Sequence, residues 1–121
     1  MIQEKFDELV GILTSSTESG KVDWEQSSSK DEYQTKIGDN AISVGLFDPN
    51  SLASMIFSSD RSNKLYYYIN VYNSKGLQVD SEERAVNEIG FAKLKNLYQI
   101  AKRKYFKADE TLDDILDILK Q

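Results

Sequence analysis

Residues Leu65 to Tyr72 read Leu-Tyr-Tyr-Tyr-Ile-Asn-Val-Tyr, and this segment limits the fold more than any other in the chain. Aromatic and β-branched residues suit a pleated backbone, in which successive side chains point to opposite faces. Leu65, Tyr67, Ile69 and Val71 therefore face one way, and Tyr66, Tyr68, Asn70 and Tyr72 the other. A strand heavy on both sides belongs in the interior of a sheet, with its aliphatic side under helices and part of its second side covered.

The flanking sequence supplies the neighbouring strands. Val22 and Trp24 alternate with Asp23 and Glu25, and Tyr33, Thr35 and Ile37 alternate with Gln34 and Lys36. Ser27 to Asp31 joins these two, and Gly38-Asp39-Asn40 is a hairpin turn into a strand with Ile42, Val44 and Leu46 on one face. Asp48-Pro49-Asn50-Ser51 ends that strand, because proline cannot donate to the ladder. Leu52 to Ser58 fits a helix through Leu52, Met55 and Ile56 and a strand through Ala53, Met55 and Phe57; the strand is favoured. After Tyr72, Asn73-Ser74-Lys75-Gly76 reads as a hairpin connection into Leu77 and Val79.

Three helices are expected around these strands. Ile2, Phe6, Leu9, Val10 and Leu13 fall in a sector of about 100°, which predicts an amphipathic helix ending in the polar stretch from Thr14 to Gly20. Asp80-Ser81-Glu82-Glu83 resembles a helix start, with Asp80 as N-cap and Glu83 reaching back. The long helix it opens carries Phe91, Leu94, Leu97, Tyr98, Ala101 and Tyr105 on an arc of about 120°. Asp109 is expected to cap a last helix whose Leu112, Ile115, Leu116 and Leu119 form a stripe that needs a neighbour, either the long helix or the sheet. The predicted architecture is a single α+β domain over residues 1–121. It consists of an N-terminal helix, an antiparallel sheet of about five to six strands and two C-terminal helices packed on one sheet face.

Composition restricts the chemistry. With neither His nor Cys, the chain has no imidazole or thiolate for a catalytic triad, a zinc site or a disulfide. The six glycines form no phosphate-cradling pattern, and Asp23 and Glu25 share an ordinary exposed strand face, so neither enzyme activity nor a cofactor is expected. A net charge of −5 disfavours a nucleic-acid partner. No apolar run approaches the ~20 residues needed to cross a bilayer, so no membrane partner is expected. The opening Met-Ile-Gln-Glu-Lys-Phe-Asp lacks the basic start of a secretory signal, making the cytoplasm the expected compartment.

Three clusters are candidate sites. Lys93, Lys95, Lys102, Arg103, Lys104 and Lys107 lie in one segment free of acids, but they spread around the long helix, as a solvated face does. Asp109, Glu110, Asp113, Asp114 and Asp117 follow, and acids early in a helix are expected from its dipole. A calcium loop beginning at Asp48 fails, since Ala53 replaces the turn glycine and Ser59 the bidentate acid. The third cluster is aromatic: Trp24, Tyr66, Tyr68 and Tyr72 form a candidate interaction surface for a protein partner or a second copy. The alternative function is a small-ligand domain holding an anionic metabolite or nucleotide through Lys93, Lys104 and Tyr98.

The order of pieces resembles a group of small, uncharacterised bacterial proteins. The resemblance is carried by Gly20-Lys21-Val22-Asp23-Trp24-Glu25, Tyr33-Gln34-Thr35 and Tyr68-Ile69-Asn70-Val71-Tyr72-Asn73-Ser74-Lys75-Gly76. Leu97-Tyr98-Gln99-Ile100-Ala101-Lys102-Arg103-Lys104 and Thr111-Leu112-Asp113-Asp114-Ile115-Leu116 complete it. It implies a bacterial or mobile-element origin and a cytoplasmic α+β domain, and it carries no functional residue across.

Overall fold

The computed structural model describes residues 1–49 and 64–121. Helix α1 (Gln3–Glu18) precedes strands β1 (Glu25–Gln26), β2 (Glu32–Ile37), β3 (Asn40–Phe47), β4 (Tyr66–Tyr72) and β5 (Gln78–Ala85), and helices α2 (Phe91–Tyr105) and α3 (Ala108–Leu119) follow. The expectation for Leu52 to Ser58 lies outside the described residues. Among the described residues the strands form one sheet in the order β1-β2-β3-β4-β5, every pair antiparallel, and the class is α+β.

β4 lies between β3 and β5, with Ile69 opposite Val44 on one side and Glu82 on the other. Its Tyr67 and Ile69 are buried among Tyr33, Ile42 and Val44 of the sheet and Leu94, Leu97, Tyr98 and Ala101 of α2. α1 adds Phe6, Val10 and Leu13 to this core and packs along α2. The sequence therefore places β4 and its helix-facing side as the structure does. The hairpin turns also obey local chemistry. Gly38 takes φ 63° in the two-residue β2–β3 turn. Asn73 organises the β4–β5 turn by accepting the Lys75 and Leu77 N–H groups on Oδ1.

Four local expectations change. α1 continues to Glu18, because the hydroxyls of Thr14, Ser15 and Thr17 donate to the carbonyls of Val10, Gly11 and Leu13 instead of breaking the helix. Gln78 to Ala85 is strand β5, so Asp80 starts no helix: pairing with β4 supplies a full ladder, which outweighs one local cap. On β5, Asp80 and Glu82 meet the Met1 amino group at 3.2 and 2.5 Å, and Arg84 lies 4.2 Å over the Phe6 ring. The turn to α2 comes at Gly90, which has φ 94° and where an added Cβ would fall 2.7 Å from Phe6 Cε1. Lys107, not Asp109, occupies the N-cap of α3, and Asp109 accepts instead from Arg103 Nη2 at 2.5 Å. α3 adjoins α2 with no buried side chain of its own, leaving Leu112, Ile115 and Leu116 about half exposed.

Candidate functional site

The two sides of the sheet differ in cover. No helix among the described residues lies on the side carrying Tyr66, Tyr68, Asn70 and Tyr72, each of which is half-buried. Register places four rows across this face. One row runs Glu32, Gly45, Tyr68, Glu83, and the next runs Gln34, Ser43, Asn70, Ser81. Tyr68 can lie flat because the residue beside it is glycine: a Cβ at Gly45 would fall 2.2 Å from Tyr68 Cζ. The ring thus crosses β3, and its hydroxyl donates to Glu32 Oε1 at 2.6 Å, while Glu32 Oε2 accepts from Ser27 at 2.7 Å. Burial, then the bond to Glu32, raises the Tyr68 phenol well above its ordinary value, so Tyr68 remains a donor throughout the physiological range.

Phe47 and Tyr66 stack beside it, with centroids 4.9 Å apart and planes inclined by 18°. Tyr66 meets the Tyr68 ring at 6.3 Å. Behind these rings opens a depression of about 650 Å³, walled by Phe47, Tyr66, Tyr68, Asn70, Ser81 and Glu83. Its polar rim is ordered in part by Asn70, which donates to the buried Ser43 hydroxyl at 3.3 Å. The chemistry available here is aromatic contact, hydrogen bonding and one exposed carboxylate at Glu83.

The candidate residues from the sequence divide between this face and the helix-covered one. Tyr66, Tyr68 and Tyr72 share the open face. Trp24 does not join them: it is buried on the helix side, where its Nε1 donates to Thr17 Oγ1 at 3.0 Å. The cause is that α1 extends far enough to bring Thr17 to Trp24, just before the short β1.

Tyr98 is likewise in the core, 5.8 Å from the Tyr33 ring and 5.3 Å from that of Tyr67, with no hydrogen-bond partner for its hydroxyl among the described residues. It cannot contact an anion at the surface. Lys93 reaches Asp7 of α1 at 3.6 Å, and Lys104 is exposed eleven residues further along α2, a separation of ~16 Å at 1.5 Å per residue. Lys93, Lys104 and Tyr98 are therefore not brought together.

Sequence reasoning passed over Gly45, Phe47, Glu32 and Glu83. Their signal was a glycine inside an otherwise apolar strand, which marks a close approach once a partner ring is placed opposite. Among the described residues, no three acidic side chains gather as a metal site requires, and no helix is long and apolar enough to cross a membrane. Comparisons with family models, curated proteins and solved structures find no match for this chain.

Proposed function

We propose that this chain is a non-catalytic protein-interaction module that receives a cytoplasmic protein partner on the open face of its sheet. The observation that supports the reading is the half-exposed set Phe47, Tyr66 and Tyr68 around a depression of about 650 Å³, with Tyr72 further along the same strand face, on a side left without a helix among the described residues. Tyrosine suits contact of this kind, because its ring offers a large surface at little cost in side-chain entropy and its hydroxyl still serves a polar rim. Tyr68 is held by Gly45 and Glu32 before any partner arrives, which lowers the ordering cost of binding.

A photo-activated cross-linking residue placed at the exposed Ser81 tests this in cells. Discrete adducts from position 81 are expected, lost when Tyr66→Ala is added and absent when the same group replaces Ala92 on the exposed side of α2. No adduct from position 81, or the same adducts from position 92, overturns the reading. Size-exclusion chromatography with light scattering then decides whether the partner is a second copy.

A further inference from the structure

Helix α3 is divided lengthwise into an apolar half and an acidic half. At 3.6 residues per turn, Ala108, Leu112, Ile115, Leu116, Ile118 and Leu119 fall within about 160° of its circumference, and Asp109, Glu110, Asp113, Asp114 and Asp117 share the opposite side. α3 packs lightly on α2 and buries none of its side chains: Leu112, Ile115 and Leu116 stay 48%, 47% and 46% exposed, Ile118 66% and Leu119 74%. Phe106, just before the helix, adds a ring that is 55% exposed. Twelve residues make a marginal helix in water, so an open apolar half of this extent calls for a cover.

The charges along its margin select the occupant. Asp109, Asp113 and Lys120 lie on one edge of the apolar half, within an arc of about 40°. Asp109 is held by Arg103, whereas Asp113 and Lys120 take part in no ion pair among the described residues. Seven residues, or about 10 Å along the axis, keep these two from meeting within one copy. A two-fold axis that pairs α3 with its own copy in antiparallel lays this edge against itself in reverse. With Leu112 opposite Leu119 and Ile115 opposite Leu116, each Lys120 then stands beside the other copy's Asp113, and the helix dipoles are opposed. A parallel pair would set Asp113 against Asp113, and the five acids repel an anionic lipid surface. We infer that α3 pairs in antiparallel with the α3 of a second copy of this chain, covering Leu112, Ile115, Leu116 and Leu119. This surface shares no residue with the depression on the sheet and does not depend on the function proposed above.

Sedimentation velocity on the full chain over a wide range of concentration tests it. A reversible monomer–dimer equilibrium is expected, unchanged in Tyr66→Ala and weakened by more than about tenfold in Ile115→Glu/Leu119→Glu. Because α3 buries no side chain in one copy, that double variant should keep the near-ultraviolet circular dichroism of the dilute parent, which shows that the core is intact. Lys120→Asp should weaken pairing by about fivefold, and adding Asp113→Lys should restore most of the loss. The chain contains no cysteine, so introduced thiols report direction: Leu112→Cys mixed with Leu119→Cys should oxidise to a linked dimer, and neither should link to itself. A monomer at every concentration leaves the apolar half to a different protein and overturns the inference. A dimer that survives Ile115→Glu/Leu119→Glu, or is lost in Tyr66→Ala, assigns the contact to another surface and also overturns it. Self-linking of Leu119→Cys overturns the antiparallel arrangement.

Discussion

The two faces of β4 carry tyrosine in opposite roles. On the helix side Tyr67 is buried and shares an aromatic cluster with Phe91 and Tyr98. On the other side Tyr66, Tyr68 and Tyr72 remain half-exposed around a polar rim. Composition does not distinguish these tyrosines; what does is the layer each one meets. Helices α1 and α2 turn one face into a core, whereas on the other Tyr68 is held in place through Gly45 and Glu32.

The sharpest way to break the contrast is to place a charge on each face in turn. Ile69→Asp leaves an unpaired carboxylate in a fully buried site and is expected to cost about 4 kcal/mol or more, enough to unfold the domain. Tyr72→Asp, three residues along on the half-exposed side, is expected to cost about 1 kcal/mol. Thermal and urea unfolding measure both, and similar losses would erase the distinction between the faces.

Gly45→Ala comes next, since its methyl group occupies the place of the Tyr68 ring. The expected loss is about 2 kcal/mol, from displacement of the ring and of its bond to Glu32. Adding Tyr68→Ala to Gly45→Ala should cost little more, a coupling that a double-mutant cycle reads directly.

A smaller effect lies at the edge of the covered face. The Met1 amino group, then Arg84, holds the Glu82 carboxyl below its ordinary value of 4.5. A carboxylate lowered on folding adds stability above its unfolded pKa, and that contribution is lost as pH falls through the folded value. Glu82→Gln should therefore be less stable than the parent at pH 7 and converge with it in acid below 4.5, as urea unfolding across that range would measure.

Removing a single hydroxyl should have effects that differ in sign between the faces. Tyr68→Phe removes a bond to a carboxylate and should destabilise by about 1.5 kcal/mol. Tyr98→Phe removes a buried hydroxyl that has no partner among the described residues and should be neutral or stabilising by up to about 1 kcal/mol.

The sheet interior was legible because β4 carries bulk on both sides, and the α2 stripe because apolar residues recur at helical spacing over four turns. β5 was misread for a physical reason: Asp80 and Glu83 have the spacing of a cap, and only the presence of β4 alongside makes a ladder the better use of that backbone. The stripe on α3 was visible, but sequence does not reveal that the helix touches α2 so lightly. In the candidate site, alternation grouped the three open-face tyrosines correctly. It could not assign Trp24, whose place depends on how far α1 runs, nor Gly45 and Glu32, whose roles exist only once three strands are in register.

The Tyr68 ring spans from β4 over β3 to a residue on β2, and this reach has a consequence for assembly. A slip of β3 by two residues would keep its apolar side inward and so pass the usual test of burial, yet it would push Ser43 or Phe47 beneath the ring. The misaligned sheet is thereby rejected by a clash on the side away from the core, and the chain proofreads its own strand alignment there.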